Sequence, residues 1–447
     1  MRPNAVHRLP LALGAALLLL PLAAGRPAAG ARPPGPEGGS AVARPARETF
    51  SVVYTVEISL RTPGVARIRW DLAGADEIER IRLAFDPERF DGFAASGTLE
   101  RRPEEILWVP GAPYGHLTYT AVLSHRRAPG KGYDAFAGDA WVVGRTRGLF
   151  PRCSVLFRGD VEAAPESRAR LVFRLPEGWE VAAAMPPDGG RGFLVESPRR
   201  RFDHPWGWLA IGHFDRTTAT AAGTMLTIAA APGVSLRPEE VVRMLSQALP
   251  SLRALFGRTP PRLLVVMAPD PMWRGGLSGE ESFYMHGDRP LRTPDKSSPY
   301  LHELFHVTAP FRPGADAHWV TEGLAEYYSV EIQRRIGLLD QRAHARALDL
   351  FARHGVWGHD FTRTPAPALR NNSAPLLMYV LDRRIREATA GARGLDDVVE
   401  RLAWEGGTVS TARFLGSIER TTGKSFGAFF RRHVYRGEYP PLDNPAP

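Results

Sequence analysis

Apolar and polar residues alternate along the first third of the chain. The stretch from Phe50 to Leu60 has an apolar residue at every second position, and the stretch from Ile68 to Leu72 repeats this pattern. A period of two is typical of β-strands with one buried face. Short apolar runs separated by glycine and proline continue as far as Ala231. The pattern therefore predicts an antiparallel β domain over residues 47–232.

The period of the apolar residues changes after Gly233. Between Pro238 and Phe256 they recur at helical spacing, which predicts a helix that Pro250 kinks. A short apolar run from Leu263 to Ala268 predicts a buried strand. Beyond this strand the pattern is mostly helical. The predicted helices are Tyr300 to Val307, Val320 to Ile336, Gln341 to His354 and Pro375 to Thr389, with two amphipathic segments before Pro440.

These patterns divide the chain into a β part followed by α/β and helical parts. A chain of 447 residues is too long for one ordinary core, so several domains are expected. The expected divisions are the β domain at 47–232, a mixed α/β domain at 233–365, a helical C-terminal region at 366–440 and a tail at 441–447.

The N-terminus predicts export. Basic residues precede an apolar run from Leu9 to Ala24, and small residues follow as far as Ala31. The run is short for a membrane span, so residues 1–31 are interpreted as a cleavable secretory signal, with an uncleaved anchor as the alternative. Residues 32–46, rich in proline and glycine, predict a flexible linker. The mature protein is thus expected in the periplasm or outside the cell, without a transmembrane helix.

Composition narrows the possible chemistry. The hydrophobic fraction of 44% and the charged fraction of 23% are those of a globular protein. The net charge is +9, but no basic helix with interleaved aromatic residues is present, so nucleic acid is not an expected partner. Cys153 is the only cysteine, which excludes an intramolecular disulfide and a multi-cysteine metal site. Histidine and carboxylate side chains must therefore supply any metal ligands.

A short motif provides such ligands. His302, Glu303 and His306 form the pattern H-E-x-x-H. Residues four apart share one face of a helix, so both imidazoles can bind one zinc ion at 2.0 to 2.1 Å. Ser298 is a good N-cap, and Pro299 suits the first helical position. The segment is therefore predicted to be a zinc-binding helix, although two ordinary helical histidines would give the same letters.

A second helix supplies a third ligand. It opens with Trp319 to Tyr328 after a turn rich in proline and glycine, so it can return antiparallel and present Glu322 to the same ion. Glu326, one turn further, lies on the same face and is either a hydrogen-bond acceptor for a ligand histidine or a solvated carboxylate. His318 is a competing ligand, but no helical register joins it to Glu322.

These residues predict a reaction. Zinc held by two histidines and a glutamate keeps one position for water, lowers its pKa and polarises a substrate carbonyl. Glu303 follows the first histidine directly and is the expected general base. The implied reaction is hydrolysis of a peptide or related amide, with one zinc per chain. Manganese and cobalt can occupy similar ligand sets, but zinc is favoured by ligand type.

The two zinc-helix segments resemble the glycyl aminopeptidase family of gluzincin zinc metallopeptidases. That resemblance implies a fold with an N-terminal β-sandwich-like domain, a thermolysin-like α/β catalytic domain and a helical C-terminal region. It also implies that Gly275, Gly276 and Leu277 lie on the strand that binds substrate. Looser matches extend it over about residues 47–440. They are Leu194 to Pro198, Trp273 to Leu277, Leu381 to Glu387 and Thr421 to Lys424 with the following Phe429 and Phe430.

The sequence departs from this family in three places. Ser278 stands where aminopeptidases of this type have a carboxylate for the substrate's free amine, with Glu280 and Glu281 as nearby substitutes. On a strand, one of these two glutamates must point away from the cleft. Asn371 aligns with the family's oxyanion-stabilising tyrosine, and Tyr379 is an alternative donor that its apolar surroundings favour as core. The C-terminal PDZ domain of many members is not expected.

Two functions remain in competition. The first is an exported zinc peptidase acting on peptides or proteins, with aminopeptidase activity as one form of it. The second is a zinc-binding pseudo-peptidase of low activity that serves as a binding module in the cell envelope. Ser278 and Asn371 favour the second function, whereas the motif and its third ligand favour the first.

Overall fold

A computed structural model describes residues 49–127, 130–158, 166–190, 192–196, 202–363 and 372–441. These residues belong to a compact unit that spans Arg47–Pro447.

The N-terminal part is built from β-strands, as the period-two pattern predicts. Two short 3₁₀ turns, Ala75–Glu77 and Thr146–Gly148, interrupt them. The strands are β1 (Thr49–Ile58), β2 (Val65–Ala73), β3 (Ile78–Ala84), β4 (Phe90–Ala95), β5 (Thr98–Arg102), β6 (Glu105–Val109), β7 (Tyr114–Val122), β8 (His125–Arg126), β9 (Tyr133–Ala137), β10 (Trp141–Arg145), β11 (Arg152–Phe157), β12 (Glu166–Arg174), β13 (Glu180–Ala183), β14 (Gly192–Val195) and β15 (Trp208–Gly212).

These strands form sheets that pack face to face. One sheet has the order β14-β12-β1-β2-β7-β4, a second β11-β3-β6-β5 and a third β13-β15-β10-β9-β8. Pairing is mostly antiparallel, but β1 and β12 run parallel. Aromatic side chains such as Trp70, Trp108 and Tyr54 fill the core between the sheets and are fully buried. A sandwich-like β part is thus present.

A further sheet begins earlier than the sequence pattern suggests. It contains β16 (Asp215–Ala221), β17 (Thr224–Ala230), β18 (Arg262–Ala268), β19 (Gly276–Gly279) and β20 (Ser282–His286), in the order β16-β17-β18-β20-β19. Strand β17 pairs in parallel with β18 across the expected division at residue 232, so this boundary falls inside a sheet. The period-two pattern shows that a segment is a strand but not which sheet it joins.

The β16–β20 sheet packs against the N-terminal strands on one face and against helices on the other. Alternate residues of β10 and β15 face opposite ways, so Val142 and Ile211 enter the N-terminal core while Val143 and Ala210 pack against β18. The other face of the β16–β20 sheet packs on helices. Burial on both faces explains the continuous apolar run of β18.

The helices follow the predicted order closely. Helix α1 continues through Pro250, and its bounds equal the predicted ones. The helix at Gln341–His354 also has its predicted bounds, and the other three helices with predicted bounds differ by one or two residues at their ends. Most of the helices share one core with α1, whereas the helix at Gln341–His354 packs in a separate cluster. The helices are α1 (Pro238–Phe256), α2 (Pro299–Thr308), α3 (His318–Arg335), α4 (Gln341–His354), α5 (Ala374–Ala388), α6 (Leu395–Glu405), α7 (Thr411–Thr422) and α8 (Gly427–Phe429), with a π-helical turn at Phe430–Tyr435 and short strands β21 (Phe311–Pro313) and β22 (Gly407–Val409).

Within the described ranges, none of these helices combines the length and the apolar character needed to cross a membrane.

Candidate metal centre

Helix α2 carries the H-E-x-x-H motif. The Ser298 hydroxyl accepts a hydrogen bond from the Leu301 amide at 3.4 Å, and Pro299 occupies the first turn, so the predicted cap is present. One face of α2, including Phe305, is buried in the main core. His302 and His306 lie on the other side, where they are only partly covered. The helix therefore holds both imidazoles on the side that is turned away from the core.

Helix α3 packs against α2 and is buried along most of its length. Phe305 stacks on Tyr328, with ring centroids 5.4 Å apart and planes at 12°. Glu322 and Glu326 are two carboxylates on this apolar helix, and both stay partly accessible at the side that faces α2. Carboxylates on a buried helix are costly unless they are paired. Their partners are the motif histidines.

Three donor atoms converge at this point. His302 Nε2 and His306 Nε2 are 3.1 Å apart, and the Glu322 carboxylate lies 3.4 Å from the first and 3.7 Å from the second. Donors arranged tetrahedrally around zinc at 2.0 to 2.1 Å are about 3.3 Å from one another. His302, His306 and Glu322 therefore fit a zinc ion in both spacing and donor type.

A carboxylate fixes the orientation of one histidine. His302 Nδ1 donates to Glu326 Oε2 at 2.7 Å, which leaves Nε2 as the free ligand atom. Of the two possibilities that the sequence leaves open for Glu326, the structure shows the contact with the ligand histidine. His318, the competing ligand, is exposed at the start of α3 and is absent from the donor cluster among the described residues.

The neighbouring histidines and carboxylates change one another's pKa values. Burial alone would raise the pKa of Glu322, but hydrogen bonds from His302 and His306 hold it well below its usual range. Burial raises the pKa of Glu303, while both histidines and Arg145 act in the opposite direction. Glu303 is thus a carboxyl group in a sheltered position beside the ligand histidines, as a general base requires.

Among the described strands, β19 lies at the edge of its sheet, and it runs past Glu303. The His286 amide donates to Gly275 O at 3.1 Å, so Gly276 and Ser278 belong to the pairs whose main-chain groups face away from β20. A Cβ atom at Gly276 would lie 2.6 Å from Glu303 Oε1. Glycine at this position therefore lets the Glu303 carboxylate lie directly against the strand.

Gly276→Ala is expected to lower peptide turnover by about 100-fold, because the added methyl group displaces the Glu303 carboxylate from its working position. Zinc content should stay at the wild-type level, since Gly276 does not contact the ligands. Steady-state kinetics and metal analysis measure both quantities. In a Glu303→Gln background the same substitution should cause no further loss. A similar loss in that background would show that Gly276 acts independently of Glu303.

The Gly275 and Leu277 side of β19 faces inward. Gly275 approaches the Trp273 ring so closely that a Cβ would overlap it, and Leu277 packs in the layer between the two sheets. Of the three glycyl aminopeptidase-like positions, Gly276 is the one that contacts the base.

Glu280 and Glu281 form the turn between β19 and β20, so the premise that both lie on a strand is wrong. Strand β19 ends at Gly279, and Glu281 has a positive φ of 45°. Both residues border a cleft of about 860 Å³ that also reaches His306 and Thr308. Burial, with a smaller contribution from Glu280, raises the pKa of Glu281 to about 7.

Glu281→Gln should stabilise the protein above pH 7. Because the pKa of Glu281 is raised in the folded state, the native chain binds this proton more tightly than the unfolded chain, and stability falls as pH rises from about 4.5 through about 7. The variant escapes this loss. The gain should be about 1 kcal/mol at pH 8 after allowance for solvent screening, and near zero at pH 4. Denaturant unfolding at both pH values measures it, with exposed Glu280→Gln as the control of smaller effect. An equal gain at pH 4 would contradict this cause.

The predicted oxyanion donor cannot be placed, since Asn371 lies outside the described residues. Helix α5, which follows it, packs its first residue, Ala374, against Gly323, next to the ligand Glu322. Tyr379 lies one turn and a half along α5 and packs with the side chains of α4 and the second half of α3. Its side chain is partly buried against these apolar residues, in keeping with its position in an apolar run.

A charged side chain that the sequence analysis did not single out reaches the same edge. Arg145, at the end of β10, donates through Nη2 to Ser278 O at 2.8 Å. The two residues are 133 positions apart, and no motif links them. Only the packing of the N-terminal sheets on the β16–β20 sheet brings them together.

Asp270, His286 and Asp288 form another cluster with metal-ligand atoms. The Asp288 amide donates to His286 Nδ1 at 3.1 Å, so Nε2 carries the proton and faces Asp270 at 3.4 Å. Arg274 contacts both carboxylates. The Arg274 guanidinium thus lies beside both carboxylates and offsets their negative charge.

Solved structures of zinc peptidases share the fold described above. An aminopeptidase N family protein from Idiomarina loihiensis matches 88% of this chain and 77% of its own, with a TM-score of 0.67 and 14% identity. An M1 zinc metallopeptidase from Deinococcus radiodurans matches 90% of this chain and 96% of its own, with a TM-score of 0.58 and 17% identity. A variant of that enzyme was solved with a Tyr-Ser-Ala substrate, at a TM-score of 0.58, 16% identity and coverage of 89% and 96%.

At these identities the likeness concerns the fold. The chain has the architecture of M1 zinc metallopeptidases, with many β-strands in its N-terminal part and helices toward its C-terminus. No family model and no curated protein matches the sequence. Membership of the glycyl aminopeptidase family stays a prediction.

Proposed function

We propose that the chain is an exported zinc-dependent peptidase in which His302, His306 and Glu322 hold one zinc ion and Glu303 is the general base. The observation that supports this most is the convergence of the three donor atoms within 3.1 to 3.7 Å beside a base that lies against strand β19. The peptidase fold of the solved neighbours supports it independently.

Each residue of the site has a separate role in the proposed hydrolysis. When bound, zinc activates water and polarises the substrate carbonyl. Glu303 takes the water's proton and, as a carboxylic acid, returns it to the departing amine. Glu326 keeps His302 in the tautomer whose Nε2 can be a ligand, because it accepts from Nδ1. Asn371, or Asn372 beside it, is the proposed second donor to the oxyanion, on the strength of the alignment alone.

Strand β19 would hold the substrate in register. An extended peptide can add as a further strand to a free sheet edge, with main-chain hydrogen bonds that do not depend on sequence. The outward groups of Gly276 lie next to Glu303 and are the natural partners of the residue at the scissile bond. Gly276 has no side chain to obstruct this approach.

Export and the finer family assignment are supported by the sequence. The apolar N-terminal run favours a periplasmic or secreted location, and the segments around both zinc helices resemble the glycyl aminopeptidase family. Ser278 in place of a carboxylate separates this chain from strict aminopeptidases of that type.

Incubation with a mixed peptide library, with and without chelator, tests the proposal. Mass spectrometry of the new termini should reveal cleavage that the chelator abolishes and that zinc restores, and it also separates end-trimming from internal cleavage. Full zinc occupancy without cleavage would contradict the proposal and favour the pseudo-peptidase, which Ser278 makes the main competitor.

A further inference from the structure

Arg145 is held rigidly at the edge where the substrate is proposed to bind. Its Nη2 donates to Ser278 O, and its guanidinium carbon lies 4.6 Å from the centre of the Trp208 ring. Trp208 is itself fully buried, and its amide is fixed by the Ser282 hydroxyl at 2.9 Å. A planar guanidinium with one hydrogen bond and one aromatic face is pre-organised to bind a further group.

The positive charge of Arg145 lacks an ion-pair partner in the described part of the chain. Asp134, on the neighbouring strand β9, attracts Arg145 but pairs with His125 at 2.6 Å. Glu303 attracts Arg145 from α2, while Arg147 and Arg127 add positive charge beside it.

Arg145 also carries a positive charge at neutral pH. Burial lowers its pKa to about 10, so it stays protonated at neutral pH. Guanidinium has five N–H donors, and the single bond to Ser278 leaves donors for another acceptor. A half-buried, unpaired arginine is a recognition site for carboxylates.

The position of Arg145 along the edge fixes which part of a substrate meets it. Gly276 lies against Glu303, and Ser278 is two residues further along β19, which corresponds to about 7 Å. Because Ser278 O already accepts from Arg145, an added substrate strand finds a guanidinium there instead of a free carbonyl. The substrate group at that point is therefore next to a cation.

We propose that Arg145 binds a carboxylate of the substrate, so that this peptidase prefers peptides with an acidic group close to the scissile bond. The inference rests on the proposed function, since it concerns the same strand edge. The proposal also explains the effect of having Ser278 in place of a carboxylate. At this position the strand edge has a cation and no carboxylate, so it repels a free α-ammonium group, which related aminopeptidases attract there.

The carboxylate can come from an acidic side chain or from a free C-terminus, and substrates can separate the two. A peptide cut by the wild type is made with acetylated and amidated ends and with Glu, Gln or Lys at the positions flanking the scissile bond. The Gln peptide is also made with a free C-terminal carboxylate. Wild-type kcat/KM should be at least about tenfold higher for the Glu peptide or the free acid than for the neutral Gln peptide, and lowest for Lys.

Variants assign the preference to one residue. Arg145→Gln should reduce the ratio of kcat/KM for acidic and neutral peptides to about one. Arg145→Lys should keep part of the preference, and it serves as the test if Arg145→Gln fails to fold. Arg152→Gln is the matched control: this exposed arginine on β11 is not among the groups that act on Arg145, and its loss should leave the ratio unchanged. A purely structural Arg145 would lower kcat/KM for all peptides alike and leave the ratio intact.

Binding separates failure of this inference from failure of the proposed function. Dissociation constants of acidic, neutral and basic versions of one capped peptide, measured with Glu303→Gln protein, do not require turnover or a known cleavage site. The acidic peptide should bind more tightly than the neutral one, and adding Arg145→Gln to this protein should remove the difference. That result supports the carboxylate site even if the wild type cleaves nothing. Equal affinities of the Glu303→Gln protein for acidic and neutral peptides, or equal wild-type kcat/KM for them, would overturn the inference.

Discussion

Glu303→Gln should lose about a thousandfold or more of the peptide turnover while the protein keeps its zinc and its fold. The amide has nearly the same shape as the carboxylate but cannot accept a proton from water, and general base catalysis of this kind contributes about 10² to 10⁴ in rate. Glu303 lies beside the ligand histidines but supplies none of the three ligand atoms, so metal binding should survive. Turnover of one peptide, zinc content and thermal unfolding together measure the effect.

Glu303→Asp is the matched control for this experiment. It retains a carboxylate but withdraws it by one methylene from Gly276, so it should recover part of the lost rate. Wild-type turnover in Glu303→Gln would show that another group takes the proton, and loss of zinc from this variant would mean that Glu303 belongs to the metal site itself.

Glu322→Ala should weaken zinc binding by about a thousandfold and abolish hydrolysis. Zinc bound with structural ligands gains roughly 10 to 16 kcal/mol in total, so the loss of one of three protein bonds costs a few kcal/mol. The two histidines would remain 3.1 Å apart but without the carboxylate that completes the set. A competition titration with a chromogenic zinc chelator measures the affinity.

Glu326→Ala is the matched control, one helical turn further along α3. It removes the acceptor of His302 Nδ1 but no ligand atom, so affinity should fall by about 10- to 100-fold and activity should be recoverable at high zinc. Unchanged zinc affinity in Glu322→Ala would sink the assignment of the third ligand.

The convergence of His302, His306 and Glu322 was predictable because its geometry is local. His302 and His306 are four residues apart on one capped helix, and the helical period alone places them on one face. Glu322 follows after a short turn, so an antiparallel return brings it to the same point. Each step depends on neighbours in the sequence, and the structure brings these side chains together at ligand distances.

The surroundings of the centre were not predictable in the same way. Arg145 reaches Ser278 through the packing of one β layer on another, and nothing in the period of either strand encodes this contact. For the same reason the sequence pattern placed β16 and β17 with the N-terminal domain, although β17 pairs with β18. Glu280 and Glu281 were misplaced because a four-residue edge strand carries too little alternation to show where its turn begins.

Reconstitution of the metal-free protein with zinc tests the central claim most directly. The chain is stripped with chelator and titrated with zinc while bound metal and the rate of cleavage of one peptide are measured in parallel. We predict that the stripped protein is inactive and that the rate rises in proportion to bound zinc and levels off at one ion per chain. Cleavage that persists without zinc, or one bound zinc with no cleavage of any peptide in the library, would contradict the account.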